Sequence, residues 1–289
     1  MKVESDHLKI GTSVENPPFH ATICYLHRMK DLKQLNDEVF CLAFELATLG
    51  QASLQGKLER WLPGYTDVVT DFDHQQRYEW ACNFTKNKTI LDIASGSGKG
   101  SHLLSTIGEA KHVLGCDIEE DAVKYSSIKY QNSNLSYAVE NATTLKRGTL
   151  FDVIISFETI EHIKETDRYL NSIHNHLSDD GIFIVSTPIS KNPVDFHPKN
   201  PFHVIEWGFE AFQNVLAAKF TIDNIYVQLH APKPYTLVER MAHKMFPKRS
   251  NYQDTRIEEF NHQVKLQRLG KQVEGYQIVI CRKNTVLAG

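Results

Sequence analysis

The chain has 289 residues, a formal net charge of −3, and 41% hydrophobic and 23% charged residues. This composition is typical of a globular protein and excludes disorder, collagen and coiled coil as the class of the chain. No apolar stretch approaches the roughly 18 to 20 residues of a membrane span, and Met1 to Gly11 lacks the apolar run of a signal peptide, so a cytoplasmic location is expected. The near-neutral charge argues against binding long nucleic acid by bulk electrostatics.

The cysteines indicate neither a disulfide framework nor a thiolate zinc site. They are odd in number, widely separated and include no Cys-x-x-Cys pair. The five are Cys24, Cys41, Cys82, Cys116 and Cys281. Buried or idle thiols are expected.

Residues 1–75 lie outside the strand pattern of the remaining chain, and we predict an N-terminal helical cap there. Within Asn36 to Gly50, apolar residues recur at helical spacing: Val39, Leu42, Ala43 and Leu46. Residues 76–289 are predicted to form the main domain.

Seven strand-like runs follow between Thr89 and Lys283, and the first five alternate with helix-length segments. The runs are Thr89 to Ile93, Lys111 to Ile118, Leu135 to Asn141, Phe151 to Phe157, Gly181 to Thr187, Phe220 to Gln228 and Gly275 to Lys283. The continuous apolar run Val153 to Ile155 suits a strand that is buried on both faces. The pattern predicts an α/β fold with a doubly wound, mostly parallel, seven-stranded sheet.

An insertion at residues 231–274 precedes the last strand. It has helix-compatible stretches near Val238 to Met245 and Arg256 to Leu269, and a basic tract of Lys244, Lys248 and Arg249. The insertion is either a solvated face or a lid over the substrate, since insertions at strand ends often cover the ligand.

A glycine-rich loop follows the first strand, from Ala94 to Ser101. A Walker A loop is disfavoured because Ile93 occupies the position of its first glycine and Gly100 follows Lys99. A dinucleotide loop tolerates Ser101 as its third small residue but does not call for an acid within the strand, where Asp92 stands.

The string Asp92-Ile93-Ala94-Ser95-Gly96-Ser97-Gly98 resembles motif I of the class I S-adenosylmethionine-dependent methyltransferases, with Ala94 replacing the first glycine. The resemblance implies that Asp92 and the loop seat the methionine part of the donor. It also implies that Asp117, 25 residues later at the end of the second strand, accepts both ribose hydroxyls.

Asn141 follows the third strand, where the family has an acidic residue, and its side-chain oxygen could accept a hydrogen bond from adenine. Upstream, Glu59 to Gly64 and Arg77-Tyr78 resemble a segment of bacterial methyltransferases associated with surface glycans, which suggests Arg60 and Tyr78 near the methionine carboxylate or, equally, in packing. The predicted donor-binding set is Asp92, Ala94, Ser95, Gly96, Gly98, Asp117, Ile118, Asn141, Ala142, Phe157 and Tyr78.

A second constellation follows the fourth strand. Glu158, Glu161 and His162 have the spacing that places side chains on one side of a helical turn. His203 lies after the fifth strand and could fold back over the same edge. Two carboxylates and two imidazoles predict a divalent-cation site for Mg²⁺ or Mn²⁺, with iron and zinc also admissible and His197 as a substitute ligand. Alternatively, Glu161 caps or pairs on a helix surface, and His162 and His203 lie in the core or contact the substrate.

The pattern Glu-x-x-Glu-His with a later His-x-x-Glu-Trp is similar to the metal site of the small-RNA 3′-terminal 2′-O-methyltransferases. That resemblance implies Glu158, Glu161, His162 and His203 as ligands. The run from Val185 to His203 looks equally like the sugar-associated group.

These patterns together predict an S-adenosylmethionine-dependent O-methyltransferase acting on a saccharide or sugar nucleotide, with His162, His203 and Glu161 as catalytic residues. The expected partner is a small molecule or glycan, and a homodimer stays open. The alternatives are 2′-O-methylation of an RNA terminus, which the net charge disfavours, an NAD-dependent oxidoreductase on a related fold, and a non-catalytic binding subunit.

Overall fold

The structure is a computed structural model that describes residues 19–55, 58, 60–229, 257–260 and 275–284, with side chains from Asp31 onward. Its six α-helices are α1 (Phe19–Gln55), α2 (Val68–Ala81), α3 (Lys99–Thr106), α4 (Glu120–Lys129), α5 (Thr166–His176) and α6 (Phe209–Ala217). No helix in these ranges is long and apolar enough to cross a membrane. The chain divides at Ala43/Phe44, within α1, into two compact units, and the sheet belongs to the second.

An eight-stranded sheet forms the centre of the second unit. Its strands are β1 (Thr89–Ile93), β2 (His112–Asp117), β3 (Leu135–Val139), β4 (Phe151–Phe157), β5 (Leu177–Pro188), β8 (Phe220–Leu229), β9 (Ile257–Glu259) and β10 (Gly275–Lys283). Their order is β3-β2-β1-β4-β5-β10-β8-β9. The first five are parallel, and β10 pairs antiparallel with both β5 and β8. The strands β6 (Val194–Asp195) and β7 (Glu206–Trp207) form a separate antiparallel pair.

The predicted doubly wound α/β class is confirmed, and each of the seven predicted runs contains a strand. Two details differ. The described chain has no helix between β3 and β4, and Ile257–Glu259 adds an edge strand where Arg256 to Leu269 was expected to be helical. Its pairing with β8 explains this difference, because a neighbouring strand offers the backbone a hydrogen-bonding partner that local propensity does not reveal. The stretch near Val238 to Met245, the basic tract and the lid hypothesis lie outside the described residues.

Each face of the sheet packs against different helices. On one face, α5 and α6 contribute Tyr169, Ile173 and Phe212 to a core with β4, β5 and β10. On the other, α2 and α3 contribute Tyr78 and Leu104 to a second core. Burial on both faces explains why the central strands are continuous apolar runs.

The carboxyl ends of β1, β2, β4 and β5 meet at one edge of the sheet, which we call the carboxyl edge. The amino end of β10 and the carboxyl end of β8 reach the same edge, since Tyr276 pairs with both Pro188 and Gln228. In open α/β sheets, ligands bind in the crevice outside these strand ends.

Candidate active site

The loop from Ala94 to Gly98 joins β1 to α3 through left-handed backbone conformations. The φ angles are +55° at Ala94, +57° at Gly96 and +82° at Gly98. A Cβ on Gly98 would lie 2.6 Å from the Ser126 side chain, whereas one on Gly96 would meet nothing nearer than Arg60 Cγ at 3.7 Å. Gly98 is therefore required by packing, and Gly96 lies where the loop is less crowded.

Asp92 lies beneath this loop with no exposed surface. Its Oδ2 accepts a hydrogen bond from Ser101 Oγ at 2.6 Å, and its Oδ1 accepts one from Tyr78 Oη at 3.1 Å. Burial raises the pKa of Asp92 to about 7, against the two hydrogen bonds that favour its ionised form. The carboxyl group joins α2 and α3 to β1 and supports the loop from inside. Its predicted role in seating the methionine part of S-adenosylmethionine stays a prediction.

Two other predicted donor-binding side chains also lie in the interior. Tyr78 is 5% exposed, and its ring packs so closely on α3 that a Cβ at Gly100 would come within 2.0 Å of Tyr78 Cζ. The ring of Phe157 meets Tyr78 edge-on at 5.1 Å between centroids. Tyr78 is therefore a packing residue, as the second of its two predicted roles has it, and the Phe157 ring belongs to the same core. A contact of either residue with S-adenosylmethionine stays a prediction.

Asp117 ends β2 next to the glycine loop. Its Oδ2 accepts a hydrogen bond from the Gly96 backbone N at 2.9 Å, and its Oδ1 accepts one from the Glu119 backbone N at 3.0 Å. A carboxylate oxygen has two acceptor positions, so each oxygen keeps one for a further donor. This arrangement fits a pair of ribose hydroxyls. Ile118, 67% exposed, adds an apolar surface beside it.

The Asn141 side-chain oxygen, predicted to accept a hydrogen bond from adenine, is occupied by other donors. This Oδ1 atom accepts hydrogen bonds from the Thr143 backbone N at 2.9 Å and from Thr143 Oγ1 at 2.8 Å. Both acceptor positions of the oxygen are then used within this turn, which leaves the amide NH₂ as the group that can meet a base. Ala142 packs against the core.

The segment 60–66, which we call the strap, adds contacts that the sequence did not reveal. Ser97 Oγ donates to the Trp61 carbonyl oxygen at 2.7 Å, and Trp61 Nε1 donates to Asp71 Oδ1 at 2.6 Å. Arg60 forms an ion pair with Glu119 and lies over the Phe44 ring. The strap is thus fastened to the glycine loop, and Arg60 lies beside Gly96, close to its predicted neighbourhood.

Glu158 begins the second half of the carboxyl edge, directly after β4. It has a left-handed backbone with φ of +50°, an unfavourable conformation for a residue with a side chain. Its Oε1 accepts a hydrogen bond from Ser186 Oγ at 2.7 Å, which joins the ends of β4 and β5.

Glu161 occupies the short 3₁₀ turn Ile160–His162 that follows. The side chain has no exposed surface. Its Oε2 accepts a hydrogen bond from Thr187 Oγ1 at 3.1 Å, while its Oε1 is buried and has no hydrogen-bond partner among the described residues. Burial, and secondly the charge of Glu158, raise the pKa of Glu161 well above its ordinary value.

His203 returns to this turn as predicted from its motif, because the backbone N of Val204 and of Ile205 donate to the Glu161 carbonyl oxygen at 2.8 and 3.2 Å. His203 Nδ1 lies 2.6 Å from Glu206 Oε1, and His162 Nδ1 lies 2.9 Å from the Phe202 carbonyl oxygen. Since both partners are acceptors, Nδ1 carries the proton in each ring and Nε2 carries the lone pair. The His203 Nε2 lone pair accepts a hydrogen bond from Asn200 Nδ2 at 2.7 Å.

The ligand atoms of Glu161, His162 and His203 lie within 4.8 Å of one another. We call these three residues the Glu-His-His cluster. Glu158 is not within this group, and His197 is exposed and lies outside it. The Glu206 carboxylate that holds His203 resembles the outer carboxylates that orient metal-binding histidines. A buried carboxylate oxygen without a partner, beside two oriented imidazoles, fits a divalent cation.

Comparisons with known proteins place the chain in context. A family model described as a methyltransferase domain matches residues 84–230. A probable S-adenosylmethionine-dependent methyltransferase of Mycolicibacterium smegmatis is 27% identical over 176 residues, which cover 60% of this chain and 67% of that protein. A ubiquinone biosynthesis O-methyltransferase of Ruegeria pomeroyi is 30% identical over 110 residues, covering 37% of this chain and 43% of that protein.

One solved structure shares the fold at low identity. The N-methyltransferase NodS from Bradyrhizobium japonicum WM9, in complex with S-adenosylhomocysteine, has a TM-score of 0.52 and 12% identity, covering 82% of this chain and 98% of that chain. At this identity the likeness shows the fold alone. The family match extends from before β1 to the end of β8 and so includes both halves of the carboxyl edge.

Proposed function

Because the chain belongs to the class I S-adenosylmethionine-dependent methyltransferases, we propose that it methylates a hydroxyl oxygen of a saccharide or sugar nucleotide. The observation that carries the proposal is the Glu-His-His cluster at the carboxyl edge. We call the part of this edge formed by Asp92, the glycine loop and Asp117 the donor half, and the part formed by Glu158 and the cluster the acceptor half. The two parts are neighbours because β1 pairs with β4. A sugar hydroxyl is weakly nucleophilic until it loses its proton, and the cluster has the groups that proton removal requires.

The donor half supports methyl transfer by positioning alone. S-adenosylmethionine supplies an electrophilic methyl group that reacts by in-line displacement and needs chiefly alignment. Asp117 offers two acceptor positions, and the backbone N of Gly96 holds its carboxylate in place. Ile118 offers an apolar surface for the adenine ring of S-adenosylmethionine.

The acceptor half supplies the base. His162 and His203 each hold their Nδ1 proton on a fixed oxygen acceptor, which leaves Nε2 as the basic nitrogen of each ring. In His203 this nitrogen accepts a hydrogen bond from Asn200 Nδ2 at 2.7 Å, so the Asn200 side chain must turn away before His203 can take a proton or bind a cation. General base catalysis of this kind contributes typically about 10²- to 10⁴-fold.

A divalent cation completes the proposal. Held by Glu161, His162 and His203, Mg²⁺ or Mn²⁺ would lower the pKa of a coordinated hydroxyl and fix the direction of attack. The buried, unpartnered Oε1 of Glu161 supports such a ligand role, because an ionised carboxylate is costly to bury without a compensating charge.

The relatives favour oxygen over nitrogen only in part. The Ruegeria pomeroyi relative is named as an O-methyltransferase, whereas NodS, an N-methyltransferase, shares only the fold. The family match supports a methyl donor over the NAD alternative. The saccharide acceptor rests on the resemblance of the Glu59 to Gly64 and Val185 to His203 segments to sugar-associated enzymes.

A terminal RNA ribose is the second candidate acceptor, because the Glu-His-His cluster is similar to the metal site of the small-RNA 2′-O-methyltransferases. One panel separates the two. The protein is incubated with labelled methyl donor and nucleotide sugars, glycans or short RNAs, with Mn²⁺ or with chelator. The main proposal is supported if a saccharide becomes labelled and the chelator abolishes this labelling. The second candidate is supported if only RNA becomes labelled.

Two histidine variants locate the chemistry. His203→Ala is expected to reduce transfer by at least about 100-fold and to abolish Mn²⁺ binding by calorimetry, while S-adenosylhomocysteine still binds. His197→Ala, an exposed histidine on the same connection, is the matched control and should behave as wild type. Full transfer by His203→Ala, or methylation of an amine only, would overturn the proposal.

A further inference from the structure

One side of helix α1 carries a row of exposed aliphatic side chains. Leu32, Leu35, Val39 and Leu42 are between 49% and 60% exposed. Leu46 continues the row and is 64% exposed. Surface leucines scattered singly need no explanation, but a contiguous apolar row on a helix indicates a surface that another molecule covers.

The spacing of the row identifies the kind of partner. Successive members are separated by three, four, three and four residues, which is the alternation of positions a and d in a heptad repeat. A globular core usually selects a wider apolar face with a period of 3.6, whereas this narrow seam with a period of 3.5 fits another helix of the same repeat.

Within the second unit, Phe44 and Glu45 of α1 contact helix α4. Phe44 stacks on Tyr125 with 4.6 Å between ring centroids, and Glu45 accepts hydrogen bonds from Tyr125 Oη at 2.7 Å and Lys129 Nζ at 3.1 Å. Phe44 lies two residues from both Leu42 and Leu46, which at about 100° per residue places it far around the helix from the seam. Leu46 therefore lies on the other side of α1 from Phe44.

We propose that the row Leu32, Leu35, Val39, Leu42 and Leu46 is the seam of a parallel two-helix coiled coil between two copies of this chain. A second copy brings the same heptad register, so each a and d side chain meets its own counterpart. Complete burial of these five side chains would remove roughly 1,000 Å² from water in the two copies together, which is the lower limit for a specific interface.

The charges flanking the seam select the parallel orientation. With Leu32 at position a, the g positions are Asp31, Glu38 and Glu45, and the e positions are Asn36, Ala43 and Gly50. Glu45 is already paired with Lys129, so Asp31 and Glu38 are the g acids without such a partner in α4. Parallel helices bring g of one copy beside e of the other, which pairs each acid with a neutral residue. Antiparallel helices bring g beside g and place the acids of the two copies together, which is unfavourable.

The oligomeric state of the full chain tests the proposal. Light scattering coupled to gel filtration should give twice the chain mass of 33.1 kDa at micromolar concentration. Leu35→Glu combined with Val39→Glu should reduce that mass by half while S-adenosylhomocysteine still binds. Gln34→Glu combined with Lys33→Glu places acids on the same helix outside the seam, and this control should stay dimeric.

Cross-linking tests the orientation. Leu35→Cys should form a disulfide-linked dimer on oxidation, above the wild-type background from the native cysteines, because equivalent d positions are adjacent only in a parallel pair. Gln34→Cys is the control and should not exceed that background. Three results would each overturn the proposal. The wild type is monomeric, including the case in which it binds lipid vesicles through this helix; the double variant stays dimeric; or Leu35→Cys shows no excess of cross-linking.

Discussion

The two halves of the carboxyl edge differ in how completely their buried polar groups are satisfied. In the donor half, both oxygens of Asp92 and both oxygens of Asp117 accept hydrogen bonds from the protein. In the acceptor half, Glu161 Oε1 and Gln277 Oε1 are buried without a hydrogen-bond partner among the described residues. Since most buried polar groups in proteins are paired, the difference supports the ligand-binding role that we propose for the acceptor half.

Backbone conformation adds to the contrast. The donor half uses glycine at two of its three left-handed positions, whereas the acceptor half has the full side chain of Glu158 in the same conformation. Such strain is retained where surrounding structure enforces it, and it is frequent at functional sites. Ser186 supplies part of that constraint through its hydrogen bond to Glu158.

The largest expected effect comes from neutralising the unpartnered carboxylate. Glu161→Gln should reduce methyl transfer by about 10²- to 10⁴-fold and abolish Mn²⁺ binding. S-adenosylhomocysteine affinity, measured by calorimetry, should stay within about twofold, because the donor half is separate.

The exposed Glu165, four residues later, provides the control. Glu165→Gln should retain transfer and Mn²⁺ binding. If Glu161→Gln instead weakens S-adenosylhomocysteine binding as much as it slows transfer, the division into two halves fails.

Asp92 gives the donor half a pH-dependent stability. Its pKa is raised from about 3.9 when unfolded to about 7 when folded, so the folded state holds the proton over that range. The free energy of unfolding therefore falls as pH rises from about 4 to 7. Between pH 5 and pH 8.5 the wild type should lose about 3 kcal/mol through this group, at about 1.4 kcal/mol for each pH unit below the folded pKa.

Urea unfolding at the two pH values measures this loss. Asp92→Asn removes the titrating group. The free energy of unfolding of this variant should therefore fall by about 3 kcal/mol less than that of wild type between the two pH values. Asp179→Asn, on a side chain that is 96% exposed, should leave the wild-type dependence unchanged. If the free energy of unfolding changes equally with pH in Asp92→Asn and in wild type, Asp92 is ionised over the whole interval. Its burial would then not cause the pH dependence.

Much of this architecture is visible in the sequence, for an identifiable physical reason. Strands buried on both faces must be apolar without interruption, so β1 and β4 could be predicted almost to the residue. Strand ends with exposed side chains lack this apolar signal. The strand β5 begins at Leu177, four residues before the predicted Gly181. The motif residues Asp117, Glu161 and His203 could be predicted because parallel strands bring their following residues to one edge.

The partners of those residues could not be predicted in the same way. Ser97 with Trp61, and Glu161 with Thr187, are far apart in the chain and have no local pattern. The burial of Asp92 also depends on a helix upstream of its own strand. Asn141 is different, since an asparagine two residues before Thr143 is a recognisable turn signal, and it could have indicated that the side-chain oxygen is occupied.

A substitution at Asp117 tests whether ligand binding by the donor half needs both oxygens of its carboxylate. Asp117→Asn places an amide NH₂ among backbone N–H donors and removes at least one acceptor for the ligand. The loss of hydrogen bonds to a charged group, about 1.5 to 3 kcal/mol, corresponds to a Kd for S-adenosylhomocysteine raised by about 10- to 100-fold.

Asp121→Asn, on the exposed surface of α4, is the matched control and should bind with wild-type affinity. Mn²⁺ binding should be unaffected by Asp117→Asn if the two halves act separately. An unchanged Kd in Asp117→Asn would mean that its carboxylate serves only to hold Gly96 and Glu119.

The smallest expected effect concerns Ala94, the one position of the glycine loop that has a side chain in a left-handed conformation. That conformation costs a non-glycine residue roughly 1 to 2 kcal/mol, while glycine loses roughly 0.5 to 1 kcal/mol more entropy on folding. The Ala94 methyl is exposed, so Ala94→Gly forfeits no packing and should raise the free energy of unfolding by up to about 1 kcal/mol.

Urea titration of Ala94→Gly beside Ala47→Gly provides the measurement. Ala47 is exposed in the interior of the right-handed helix α1, so the same substitution there should destabilise the protein by about 0.5 to 1 kcal/mol. Opposite signs at the two alanines would show that the donor half retains removable strain, although its hydrogen bonds are complete. Destabilisation at both would mean that the loop tolerates alanine without cost, and that the strain of this edge is confined to Glu158.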